Sequence, residues 1–213
     1  MSAQPPSPIL AKIAYYQNQR GEVPNQLLAR ELAENRDTAG IREIADHLWD
    51  KNKNVQSDCL KVLYEIGYLT PELIAEYVSD FLRLLKSKNN RLVWGAMIGL
   101  GTIADLRADE IWSQVALVKE KTGSGTVITS VWGIRTLAKV AASNSVRKAD
   151  IFPFLLDQLK SCIPRDVPLH AESILCAVDD SVRADFLNVL TARQPALTPA
   201  QQVRLKRVIK AVH

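Results

Sequence analysis

Residues 55–67 read VQSDCLKVLYEIG, and residues 92–104 read LVWGAMIGLGTIA. At a shift of 37 positions, Val55, Cys59, Leu63, Ile66 and Gly67 fall on Leu92, Ala96, Leu100, Ile103 and Ala104. A further 37 brings Gly133, Leu137, Val140 and Ala141 into the same register, and 38 more brings Ala171, Leu175 and Val178. The order is large, small, large, large, at three- and four-residue spacings that place these side chains on one helical face. The preceding segment repeats too: Ile41 and Ile44 become Val78 and Phe81, then Val115 and Val118, then Phe152 and Leu155. Each repeat therefore reads as a helix A, a turn and a helix B.

Working outward, the register predicts units at about 38–68, 71–105, 107–143 and 146–178, and a last pair near 180–213 whose second helix starts at about 199. An additional helix near 24–35 caps the front. Thr70-Pro71 predicts an N-cap followed by proline at the first helical position. Thr198-Pro199-Ala200-Gln201 adds the Gln of a capping box. Gly123, Gly125 and the run Ser143-Asn144-Ser145 mark turns. No segment alternates in the strand manner. Residues 1–22, with Pro5, Pro6 and Pro8, read as a flexible N-terminal arm with a short helix within 9–19, and 23–213 as a single domain. Cys59, Ala96, Gly133 and Ala171 share the one B-helix position where neighbouring helices approach closely. A large side chain there would cost about 1–3 kcal/mol by overpacking. A lone pair leaves an apolar face bare, so the pairs stack. The expected fold is all-α, a right-handed α-α superhelix of about five pairs.

The strings at 55–67 and 92–104 resemble the second helix of HEAT repeats, an armadillo-like α-solenoid family, in their Val, small residue, Leu and Ile-Gly order. The resemblance covers roughly 38–178 and departs at the turn, where Asn or Lys, and Gln56 or Val93, replace the family's Asp and Arg. It implies a binding scaffold, because this fold serves many partners.

The 213 residues are 47% hydrophobic and 23% charged, as in an ordinary globular protein rather than a disordered one. The formal net charge of +4 lies entirely in the last helix, with Arg204, Lys206, Arg207 and Lys210 and no acid. The rest is neutral, which speaks against a generally basic, nucleic-acid-coating protein. The start, MSAQPPSPIL, lacks the basic and apolar regions of a signal peptide, and no apolar run is long enough to span a bilayer. Cys59, Cys162 and Cys176 form no disulfide framework or metal-ligand pair. Cys59 and Cys176 read as small buried hydrophobes. The expectation is a cytoplasmic protein without membrane contact, metal or cofactor.

HEAT-like solenoids line their concave face with B helices, and the resemblance carries that face onto this chain. Its exposed positions are Ser57, Asp58, Lys61 and Glu65 in the first unit, Trp94, Gly95, Ile98 and Thr102 in the second, and Val131, Trp132, Arg135 and Lys139 in the third. Trp94 and Trp132, with Arg91, Arg135 and Lys61, form the candidate partner site, since aromatics beside arginine are frequent binding hot spots. The alternative is that both tryptophans pack between repeats, as Trp49 and Trp112 do on the A helices. Gly95, Gly99 and Gly101 each cost about 1 kcal/mol relative to Ala in a helix. They imply close approach of a ligand, or tight packing against the third unit's B helix. The A–B turns sum to +6 and include Lys51, Lys53, Lys86, Lys88, Lys119 and Lys121; the B–A turns sum to −4. One edge is thus expected to be a basic ridge and the other acidic. On the last helix, Leu205, Val208, Ile209 and Val212 form the inner face of a cap.

Enzyme signatures are missing: there is no Gly-rich phosphate loop, GxSxG or HExxH, and His47, His170 and His213 are far apart. Some DNA glycosylases for alkylated bases are built from HEAT-like repeats and use tryptophans, basic residues and a carboxylate. Here only Asp58 lies near that face. The expected function is a non-enzymatic module binding a protein or peptide. Nucleic-acid binding along the basic ridge is the alternative.

Overall fold

The computed structural model describes residues 6–212; the first five residues of the expected arm, and His213, lie outside the described residues. Among the described residues there are twelve α-helices and no strand. They are α1 (Val23–Glu34), α2 (Thr38–Asp46), α3 (Lys53–Leu69), α4 (Val78–Leu84), α5 (Asn90–Ile103), α6 (Ala108–Trp112), α7 (Val115–Ser124), α8 (Val127–Ala142), α9 (Ser145–Ser161), α10 (Val167–Ile174), α11 (Arg183–Arg193) and α12 (Pro199–Val212). The B helices α3, α5 and α8 bury every position of the predicted register, whereas α10 ends at Ile174, so that Leu175 falls in a 3-10 turn and Leu175 and Val178 are half-buried. The small position is fully enclosed in every repeat: Cys59, Ala96 and Ala171 are 0% exposed and Gly133 is buried.

The A elements are less regular. In the second repeat, 3-10 turns at Pro71–Leu73 and Ala75–Tyr77 precede α4. Thr70 does not cap an α-helix there; its hydroxyl is buried with no hydrogen-bond partner among the described residues. The third repeat splits helix A into α6 and α7. At the other end the capping box forms as read: Thr198 N–H donates to Gln201 Oε1 at 2.8 Å, and Gln201 N–H to Thr198 Oγ1 at 3.4 Å.

The chain groups into two compact units, the first ending at Arg107 and the second starting at Ala108, whereas the sequence reading treats 23–213 as one domain. In the first unit, α3 packs against both α1 and α5, and α4 against α5. Gly95 admits the side chain of Leu60 from α3, and Gly99 the ring of Phe81 from α4. Gly95 and Gly99 thus serve packing against the preceding elements of their own unit. In the second unit, α8 packs against α7, α9 and α10, and α10 against α12. Gly133 lies against Thr122 of α7, whose hydroxyl donates to Val118 O at 2.7 Å.

Successive repeats are also tied at their edges. Arg36 pairs with Glu72 at 3.2 Å, and Arg107 Nε donates to Ala75 O at 3.1 Å. In the second unit Arg147 pairs with Asp109, Lys148 with Asp179, and Arg204 with Glu172. Arg193 donates to the carbonyls of Lys160 and Cys162, closing the C-terminus of α9. Several acids of the expected acidic edge are therefore matched by a basic side chain from the neighbouring repeat. The Asp179 carboxyl is pulled down to about 2 by its bond from Lys148, helped by Ser181.

Residues 6–22 are the described part of the segment expected, over 1–22, as a flexible arm. A 3-10 turn at Leu10–Lys12 replaces the short helix, and Leu10, Ile13 and Ala14 are buried, Ile13 at 0% exposure. The three apolar side chains supply enough burial to hold a segment with little helix of its own. Cys59 is enclosed, and burial pushes its thiol up, whereas Cys176, in the 3-10 turn after α10, is exposed. No helix among the described residues is long and apolar enough to cross a membrane.

Candidate functional site

The first unit builds its site from α3, α5 and the segment just ahead of α1. Asn52 and Asn89 cap α3 and α5 through their side chains, fixing where each B helix begins. The polar side of α3 then presents Ser57, Asp58, Lys61 and Glu65, all half-buried. Asp58 holds the N-terminal segment down. Its Oδ2 accepts the Tyr15 backbone N–H at 2.7 Å and its Oδ1 accepts Asn25 Nδ2 at 2.9 Å, while Asn25 Oδ1 accepts Ala14 N–H at 2.9 Å. Asn25 is a buried polar residue whose hydrogen bonds join the segment, α1 and α3. Both oxygens of the one carboxylate that the sequence offered for base chemistry are thus engaged in structure.

Lys61 pairs with Glu22 at 2.8 Å and with Glu65 at 2.7 Å, and its ammonium lies 4.8 Å from the Tyr64 ring centroid. Burial alone lowers its proton affinity; the bonds to Glu22, Glu65 and Tyr64 outweigh that and raise it. Burial likewise pushes the Tyr64 hydroxyl up to about 12, against the pull of Lys61. Trp94, on α5, is half-buried, its ring 6.2 Å from that of Tyr64 and tilted by 58°. Arg91, one turn earlier, is exposed. These residues and the segment enclose a cavity of about 640 Å3. Of the candidate residues, Lys61, Arg91 and Trp94 line it together; Gly95 and Tyr64 line it too. The contributions of Tyr15, Arg20 and Glu22 escape the repeat register because their segment does not repeat. The only signal was the Leu10, Ile13, Ala14 spacing beside it.

Trp132 and Arg135 belong to the second unit, on α8. Both are half-buried, and the Arg135 guanidinium sits 4.5 Å from the Trp132 ring centroid. Trp49 differs from the packed tryptophan expected: it is 41% exposed, lies under the Arg83 guanidinium at 3.4 Å and donates Nε1–H to Asp80 at 3.0 Å.

The proposed ridge divides as well. Lys51, Lys53, Lys86 and Lys88 are exposed in the first unit. Their side chains make no ion pair among the described residues. Lys119 and Lys121 are not in a turn, because α7 runs through Gly123 to Ser124. Lys119 reaches Asp150 at 2.6 Å, and Lys121 pairs with Glu120 at 2.9 Å.

No family model matches the chain, and no curated protein matches it. Solved structures do. A designed armadillo-repeat protein in complex with the peptide (KR)4 is 13% identical with a TM-score of 0.67, over 97% of this chain and 100% of that one. A computationally designed armadillo-repeat protein for modular peptide recognition is 12% identical with a TM-score of 0.64, over 96% and 98%. An engineered protein is 19% identical with a TM-score of 0.64, over 95% and 94%. At these identities the likeness concerns architecture alone: the chain has the fold of an armadillo-like helical-repeat solenoid.

Proposed function

We propose that this chain is a non-enzymatic, HEAT-like binding module that recognises a protein or peptide on its B-helix surface. The observation that carries this reading is the cavity of the first unit. There Trp94 offers a partly open aromatic face and Arg91 an exposed guanidinium, between two B helices and a segment anchored by Asp58. Aromatic and arginine anchors in a concave, walled site are where binding energy concentrates. Solved relatives in fold, designed for peptide recognition, support the same use of the scaffold. Trp132 and Arg135 form a second candidate anchor in the second unit. The free thiols of Cys59, Cys162 and Cys176 fit a reducing compartment, and a cytoplasmic location goes with this reading.

Selection of a random-sequence peptide library on the immobilised protein tests it. The expected result is a family of binders that lose at least about tenfold in affinity on Trp94→Ala, a change of about 1.4 kcal/mol. Recovery of no binder, or binders indifferent to both Trp94→Ala and Trp132→Ala, would sink the reading. The second reading is nucleic-acid binding on Lys51, Lys53, Lys86 and Lys88, whose ammonium groups are exposed and uncommitted. It requires duplex binding that weakens steeply from low to moderate salt. The engagement of Asp58 in holding the N-terminal segment disfavours base chemistry there.

A further inference from the structure

We propose that the cavity of the first unit takes a short acidic peptide segment bearing an aromatic side chain; the inference rests on the peptide-binding reading and adds the chemistry of the ligand. Five charged side chains line the cavity: Arg20, Glu22, Asp58, Lys61 and Arg91. Three of them are already committed. Glu22 and Lys61 pair with one another, Lys61 also with Glu65, and Asp58 accepts from Tyr15 and Asn25 with its two oxygens. Two remain, Arg20 and Arg91, both exposed, and neither guanidinium has a hydrogen bond or ion pair among the described residues.

The charged groups of the cavity left without a partner are therefore both guanidinium groups, which bind carboxylates through two parallel N–H donors. A basic ligand would meet the two arginines while finding both carboxylates occupied. The opposite choice is seen in the designed armadillo protein that holds the peptide (KR)4. The Trp94 ring, tilted against Tyr64 and half-buried, leaves a face for a second aromatic group, in the offset or edge-on arrangement such rings prefer. A volume of about 640 Å3 suits a few side chains rather than a long strand. Two guanidinium groups lining a cavity of this size match one or two carboxylates rather than a continuous phosphate chain, so the peptide is favoured over an oligonucleotide.

An array of octapeptides pairing Asp or Glu with Tyr, Phe or Trp, beside matched sets with Lys or Ser in place of the acids, tests this with the full chain. A single-stranded oligothymidylate serves as the competing polyanion. The acidic-aromatic set is expected to bind at least about tenfold more tightly than the Ser set, and Arg20→Gln with Arg91→Gln to remove that advantage. Because both arginines are exposed and unpartnered, these variants are expected to keep the wild-type circular dichroism. Trp94→Leu should weaken aromatic-containing peptides more than their Leu-substituted counterparts. Three results overturn the inference: no binding by the acidic-aromatic set, equal or tighter binding by the Lys set, or an arginine double variant that binds as the wild type does. Tighter, arginine-dependent binding of the oligothymidylate overturns it in favour of nucleic acid. If library selection yields basic or neutral binders that need Trp94, the acidic inference falls while the peptide reading stands.

Discussion

Helices α5 and α8 hold the same place in successive repeats, yet the surroundings of their tryptophans differ. Trp94 faces a walled cavity, because a non-repeating segment folds down beside α3 and is held by Asp58 and Lys61. Trp132 lies under the guanidinium of Arg135 from its own helix. The repeat supplies the aromatic in both units; an element outside the repeat turns one of them into part of a pocket. Under the proposed function, recognition would be a property of departures from the period.

The contrast is open to attack from either side. Ile13 is fully enclosed in the first unit, so Ile13→Ala should cost about 2–5 kcal/mol, and hydrogen exchange should quicken in α1 and α3. A loss well under 1 kcal/mol would mean that the segment is an appendage and the cavity wall incidental. In the second unit, Gly133→Leu drives a side chain into Thr122 and should cost about 1–3 kcal/mol in urea unfolding. Near-neutrality there would show that the close approach of α8 to α7 is looser than the register implies.

A smaller effect, in the pH range of histidine, is expected in the second unit. His170 is 4% exposed, and its two ring nitrogens have no hydrogen-bond partner among the described residues. Burial lowers its proton affinity, with Asp166 opposing, so the unfolded chain binds the proton more readily. The sign follows: stability should fall as pH drops below the ordinary histidine value of about 6.5, and be flat above it. His170→Leu should flatten the slope, and exchange at acid pH should quicken first in α10. A slope unchanged by the substitution would assign it to other groups.

The helix pairs were legible because α3, α5 and α8 bury the same face each time, and Cys59, Ala96, Gly133 and Ala171 carry the constraint of close approach in their size alone. The A elements were less so: Thr70-Pro71 and Gly123 look like helix boundaries, but tertiary packing stretched one into 3-10 turns and overran the other. Trp94, Arg91 and Lys61 were identified from the sequence as neighbours on one face. The cavity around them was not legible. Its remaining wall comes from residues 14–25, where prolines nearby suggested looseness while Leu10 and Ile13 did the anchoring. Gly95 and Gly99 were legible as places of close approach, but a glycine reports that something is near without reporting what.

The edge contacts have a consequence for how the chain reaches this state. Arg36 to Glu72, Arg147 to Asp109, Lys148 to Asp179, Arg193 to Lys160 and Arg204 to Glu172 each join residues about one period apart in sequence. Ties of that span close short loops, so little entropy must be lost before each is made. Such a topology favours rapid folding that can begin in any repeat and spread to its neighbours.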